Sequence, residues 1–196
     1  MIRNSRALLL AALIVFAVAG CGKDSGTAPG AATGYRADAA GLKSLFGDIQ
    51  KAIKGGDQKT AAALTRSLLP DKARVMRALK DDAGEIADKI VAMHQRFAPE
   101  SEKDAASMLA TDGERTEILV HASTTEELIA YENGSPAYME FPGGARKAAE
   151  TFLRPGITFY EVELVRPGEE RGMKYHLFFH DGKQWTMLGP VWRALR

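Results

Sequence analysis

The order of the hydrophobic periodicities predicts an α+β domain, helical in its first half and built on a curved antiparallel sheet in its second. Three observations carry this. From Leu42 to Leu109 the apolar residues recur every three or four positions, the spacing of one helix face. At Asp112-Gly113 the regime changes, and the period falls toward two. Residues 157–188 are rich in branched and aromatic side chains and are cut by Pro167-Gly168 and Asp181-Gly182, both turn-forming pairs.

Each element follows in turn. Leu42, Leu45, Phe46, Ile49, Ala52 and Ile53 share one helix face, and Gly55-Gly56 ends it. Asp57 caps a second helix carrying Ala61, Leu64 and Leu68, closed by Pro70. Asp71 caps a third with Val75, Met76 and Leu79, broken by Gly84. A fourth carries Ile86, Ile90, Met93 and Phe97, and a fifth runs from Ser101 to Leu109. Thr116 to His121 alternates as a strand. Thr124 and Glu127 form a capping box for a short helix with Leu128 and Ile129. Asn133-Gly134 turns the chain, Ala137 to Phe141 reads as a strand, and a helix over Ala145 to Leu153 stops at Pro155-Gly156.

The C-terminal part is a three-stranded meander: Ile157 to Val165, Met173 to His180, and Lys183 to Leu188. Asp181-Gly182 suits a two-residue type I′ turn, whose central residues both need positive φ. That turn sets His180 opposite Lys183, Phe178 opposite Trp185 and His176 opposite Met187. With Val165 opposite Met173, one face shows Tyr160, Val162, Leu164, His176, Phe178, His180, Trp185 and Met187. Glu161 and Glu163 fall on the other face, which also carries Phe159, Tyr175, Leu177 and Phe179. A sheet partly apolar on both sides needs cover on both, or cover on one and a cavity or partner on the other.

The N-terminus is a targeting segment. Arg3 and Arg6 precede an unbroken apolar run, Ala7 to Ala19, followed by Gly20 and the only cysteine of the chain. Thirteen residues at about 1.5 Å each are too few for a hydrocarbon core of roughly 30 Å. Val18-Ala19-Gly20-Cys21 resembles a bacterial lipoprotein lipobox. The resemblance implies cleavage before Cys21 and diacylglycerol on its sulfur, which also explains an unpaired cysteine in an exported chain. Two acyl chains suffice for stable anchoring. Gly22 stands where an Asp commonly retains enterobacterial lipoproteins at the inner membrane, so the periplasmic face of the outer membrane is favoured. Residues 1–20 are then the signal peptide, 21–41 the lipidated cysteine and a Gly/Ala-rich tether, and 42–196 a single domain.

Charge narrows the partners. The chain has 26 Lys+Arg and 25 Asp+Glu; losing residues 1–20 removes Arg3 and Arg6, leaving 24 against 25 and a net charge of −1. This provides no basic footprint for nucleic acid and no polybasic lipid patch. The membrane is reached through the acylated cysteine, and the remaining partner is a small ligand or another envelope protein.

Two stretches carry a second resemblance. Ile53-Lys54-Gly55-Gly56-Asp57 followed by Ala61 to Leu69 is similar to the helix, Gly-Asp, helix opening of the nuclear-transport-factor-2-like and cystatin-like α+β folds. Phe178 to Trp185, with its Asp-Gly-Lys and Trp, is similar to their terminal strands. The resemblance implies helices followed by a bent antiparallel sheet; the inserted helices at 71–109 and 145–153 depart from the compact version.

The chemistry in the sequence is sparse. His176 and His180 point the same way from a strand but lie about 13 Å apart, too far to share a metal, and no second cysteine or helical His pair is present. No metal or cofactor is expected. His176 is open to three readings: an acid–base group, a ligand contact, or a core histidine satisfied by a carbonyl. Tyr160, His176, Phe178 and Trp185 are the ligand-pocket candidates, although Trp185 also suits core packing against Phe178. Trp192 would seal the end of the sheet. Gly143-Gly144 before a helix could cradle an anion, without the Lys-Ser/Thr of a nucleotide loop. A non-catalytic binding or interaction module is the favoured expectation. A small hydrolase or isomerase using His176 with Glu161 or Glu163 is the alternative, disfavoured by the face assignment above. Mass spectrometry of the native protein is expected to find Cys21 as the first residue, carrying a thioether-linked lipid. Cys21→Ser should leave the protein unanchored and its signal uncut.

Overall fold

The computed structural model describes residues 34–96, 98–109 and 113–195. The signal segment, the lipobox with Cys21 and the tether through Thr33 lie outside the described residues, as does Phe97. Helices precede a four-stranded antiparallel sheet, so the chain is α+β.

Five helices come first: α1 (Ala39–Lys54), α2 (Gln58–Ser67), α3 (Lys72–Ala78), α4 (Gly84–Arg96) and α5 (Glu102–Met108). The acidic caps act as read from the sequence. Asp57 accepts from Thr60 N–H and Asp71 from Arg74 N–H, each meeting one of the donors a helix start leaves unpaired. Gly84 opens α4 and does not merely end α3. α1 starts earlier than expected: Asp38 caps it by accepting from Gly41 N–H. The last residues assigned to the tether are thus folded onto the domain. Tyr35 Oη donates to Asp48 at 2.8 Å, and Trp185 Nε1 donates to the Arg36 carbonyl at 3.1 Å. Gly41 makes this possible, since a Cβ there would meet the Arg36 carbonyl oxygen at 2.0 Å.

The sheet runs β1 (Glu117–Thr124), β2 (Thr158–Val165), β3 (Met173–His180), β4 (Trp185–Met187), in that spatial order. The meander is therefore extended to four strands by β1, which pairs along all of β2. Between them lie α6 (Thr125–Ala130), α7 (Pro136–Met139) and α8 (Gly143–Thr151). The capping box of α6 forms as expected. The strand expected over Ala137 to Phe141 is instead α7: Ser135 caps it, Pro136 takes the first position, and only Ala137 of the helix is buried. A short 3₁₀ helix, Val191–Leu195, closes the chain.

Each sheet face has its own core. On the first, Tyr160, Val162, Leu164, Phe178, Trp185 and Met187 pack under α1, α2 and Leu109. On the second, Phe159, Leu177, Phe179 and Leu188 pack under α3, α4, α6 and α8. Alanines 52, 61, 62, 105 and 106 let α1, α2 and α5 approach closely.

Two register findings correct the sequence reading. First, the β3–β4 loop has four residues, so His180 pairs with Trp185 and Phe178 with Met187. The cause is Asp181. Its Oδ1 accepts from Lys183 N–H and Gln184 N–H at 2.9 and 3.0 Å, folding the side chain into the turn. Its Oδ2 faces Arg74 at 3.1 Å. The slip is two residues, so β4 keeps its faces. Second, the pairing of β2 with β3 shifts between Tyr160 and Val162. Tyr160 faces Phe178, but Val162 faces Tyr175. This bulge exchanges Tyr175 and His176 between faces.

Arg74 joins the helical block to the hairpin. Its guanidinium donates to Asp181 Oδ2, Thr186 Oγ1 and the carbonyls of Ser67, Leu69 and Trp185. A planar fork with several donors suits this site and an ammonium does not. Arg74→Lys is expected to lower the unfolding free energy by about 2–4 kcal/mol, read by urea denaturation. Burial alone would raise the Asp181 pKa. The N–H groups of Gln184 and Lys183 and the Arg74 guanidinium outweigh it and hold the carboxyl below its ordinary value. The folded form therefore gains stability from Asp181 above the ordinary carboxylate range, and this is lost as pH falls through the depressed value. In Asp181→Asn that part of the acid dependence should disappear.

Candidate functional site: a carboxylate–histidine pair beside an apolar cavity

The bulge decides what His176 touches. Leu177 takes a left-handed conformation, φ 52°, which costs a non-glycine residue about 1 kcal/mol or more. Two backbone bonds and one side chain hold it. Leu188 N–H donates to the Leu177 carbonyl at 2.9 Å, and Gly189 N–H to the His176 carbonyl at 3.2 Å. The Leu177 side chain is fully buried in the second-face core. His176 consequently leaves the first face, where the sequence placed it, and joins Glu161 on the second.

His176 Nδ1 lies 2.5 Å from Glu161 Oε2. Glu161 is 0 % exposed, and its Oε1 has no hydrogen-bond partner. Burial raises its pKa, opposed by the hydrogen bond and charge of His176. As a carboxylate, Glu161 accepts from Nδ1–H, which would leave the lone pair on Nε2; that nitrogen has no hydrogen-bond partner among the described residues. The ring also meets the Trp192 indole edge-on, with centroids 5.3 Å apart. Carboxylate and indole together fix the tautomer and the ring plane.

His176 lines a cavity of about 430 Å³. Its walls are largely apolar: Met93, Met108, Leu109, Tyr175, Met187 and Trp192. Lys174, His94 and Arg193 supply the polar edge. His94 donates from Nε2 to the Leu188 carbonyl at 2.9 Å, and burial lowers its pKa. It is thus a neutral ring at pH 7. The size suits a small organic molecule, and methionines at three wall positions allow the shape to adapt.

The other pocket candidates lie elsewhere. Tyr160, Phe178 and Trp185 are buried in the first-face core, where Trp185 packs edge-on against Tyr160 and His180. Trp185 pairs across strands with His180, not Phe178. His180 accepts from Gly182 N–H at 3.2 Å and takes part in the hairpin turn. Gly143-Gly144 is not an open cradle. The Trp192 ring rests on Gly144, where a Cβ would come within 2.4 Å of the indole.

Next to the pair lies a second polar cluster. His121 on β1, Glu140 after α7 and Glu163 on β2 each offer a donor atom within 4.8 Å of the others. Lys174 Nζ sits 2.7 Å from Glu140 Oε2 and 3.6 Å from Glu163 Oε2. The chain itself thus supplies a cation to these carboxylates. The Lys174 ammonium and the neighbouring His121 also hold Glu140 below its usual pKa.

The sequence pairs His176 with Glu161 or Glu163 only in the alternative reading, and it does not bring the cavity walls from α4, α5 and the 3₁₀ helix to them. The bulge leaves no mark in the apolar pattern, because β3 is covered on both faces there and Leu177, Phe178 and Phe179 are all buried. No family model, curated protein or solved structure matches the chain. Gly144→Ala is expected to push Trp192 off α8, with a stability loss of about 1–3 kcal/mol and a red-shifted tryptophan emission as the cavity wall opens.

Proposed function

We propose that the protein is a lipid-anchored component of the cell envelope whose domain binds a small amphipathic molecule in the cavity beside His176. The observation that carries the binding role is the cavity: about 430 Å³, apolar over most of its wall, with Lys174, His176 and Arg193 at its polar edge. Such a site suits a ligand with an apolar body and an anionic or hydrogen-bond-accepting end. The apolar walls receive the body by removing it from water, and Arg193 and His176 receive the polar end.

The anchored location is supported by Arg3 and Arg6, the apolar run Ala7–Ala19 and the lipobox-like Val18–Cys21. Gly22 supports the outer over the inner membrane. Among the described residues no helix is long and apolar enough to cross a membrane. Helices followed by an antiparallel sheet, together with the stretches 53–69 and 178–185, support a relationship to the nuclear-transport-factor-2-like and cystatin-like folds. Function is argued from the cavity and not from that likeness.

Decanoate tests the binding role. Titrated into the full chain, it should quench or shift the emission of Trp192 saturably. At about 0.3 kcal/mol per heavy atom a Kd on the order of 1 mM or tighter is expected. Trp192→Phe should remove most of the signal, because Trp185 is sealed in the other core. Met187→Arg, which places a charge in the apolar wall, should abolish saturation; an unchanged affinity in that variant would show that the cavity is not the site.

A further inference from the structure

We infer that the cavity is also a site of proton-transfer catalysis, with His176 Nε2 as the general base and Glu161 as the residue that positions it. This rests on the binding role proposed for the same cavity and adds a reaction to it. The substrate class is a small C–H acid with an apolar body, such as a carbonyl compound, whose developing anion would lie toward Lys174 and Arg193 at the polar edge of the cavity.

Four features of the structure agree on this. A fully buried carboxylate uses one oxygen on His176 and leaves the other unpartnered. A buried carboxylate oxygen without a partner calls for an explanation, and a functional role is one. The bulge that brings the pair together contains the strained Leu177, and both bulges and backbone strain concentrate at functional sites. The ring is held from two sides, by Glu161 and by Trp192. Its remaining nitrogen lacks a protein partner while the ring lines a cavity with mostly apolar walls, where a base is less masked by water.

The step balances without a further reactant. Nε2 takes the proton from the carbon. The C–H electron pair moves into the carbonyl, giving an enolate, and the imidazolium is neutralised by Glu161. Returning the proton from Nε2 to another carbon of the same system yields an isomer and restores the base. The step uses no covalent attachment to the protein.

Several other ionisable groups surround the pair, and of these Lys174 also bears on Glu161, favouring its charged form. His94 is held neutral by burial. Lys174 and Glu163 are joined to Glu140 in the neighbouring cluster. His121 is the second histidine near the pair, and His121→Gln controls for it.

The test uses 5-nitrobenzisoxazole and the full chain. Abstraction of its C3 proton forms the C≡N bond, breaks the N–O bond and releases a coloured phenolate. Turnover should exceed that of the same concentration of imidazole by about 100-fold or more, be competed by decanoate, and rise with pH to a plateau. His176→Ala should lose at least about 100-fold while keeping its circular dichroism, and added imidazole should restore part of the rate. Glu161→Gln should lower the plateau and move the midpoint of the profile to lower pH, because a negative charge beside the imidazolium is lost, whereas His121→Gln should leave the profile in place. A rate no higher than free imidazole, or one retained in His176→Ala, overturns the inference. Should His176→Ala fail to fold, competition by decanoate and the Glu161→Gln profile decide it, and an unshifted midpoint counts against it. If decanoate binds and 5-nitrobenzisoxazole is not turned over, only the catalytic role falls; if neither saturates, the binding role falls with it.

Discussion

Leu177 sits at φ 52° because the two residues before Phe178 must fit where β2 has room for one. Everything particular to the candidate site descends from that extra residue. Without it, His176 would lie on the first face among Tyr160, Val162 and Phe178, in a space already filled. With it, the ring crosses to the second face and meets a carboxylate that β2 presents there. The carbonyls of His176 and Leu177 are taken up by Leu188 and Gly189, the residues that lead into the 3₁₀ helix bearing Trp192. One irregularity therefore orients the imidazole, places the indole against it and turns the chain along the cavity wall.

The rest of the molecule keeps that irregularity from relaxing. Phe159, Leu177 and Phe179 are pinned under α3, α4, α6 and α8, so sliding β3 back into regular register would expose buried apolar surface. The opposite core does the same through Phe178, whose ring meets Phe46 of α1 edge-on at 5.4 Å. Arg74 couples the two halves. It gathers three carbonyls from the end of α2 and from β4, together with Asp181 and Thr186, so the hairpin cannot shift without disturbing the helices.

Most of the elements were legible in the sequence, for local reasons. Asp57 and Asp71 cap helices because a carboxylate beside free N–H groups needs no tertiary partner. Thr124 with Glu127 is similarly self-contained. The errors arose where distant residues decide. The Asp181 loop is longer than its Asp-Gly pair suggests, because Arg74, more than a hundred residues earlier, engages its carboxylate. Ala137 to Phe141 reads as apolar and extended, yet Ser135 and Pro136 start a helical turn there. The pairing of Glu161 with His176 was hidden by strict alternation, which assigns faces correctly only until a bulge intervenes. The cavity could not be read at all, since its walls come from α4, α5, the sheet and the final 3₁₀ turn.

The contacts made by Tyr35 and Arg36 have a mechanical meaning. Any pull exerted through the N-terminal arm reaches the domain first at the hydrogen bond from Trp185 to the Arg36 carbonyl and at the one from Tyr35 to Asp48. Tension is thus handed to β4 and to the flank of α1 before it can unwind the first helical turn. If the protein is held at a bilayer through Cys21, as proposed, this double hitch is where the load enters the body. As a load-bearing body the domain therefore begins at Tyr35, not at the start of the helix.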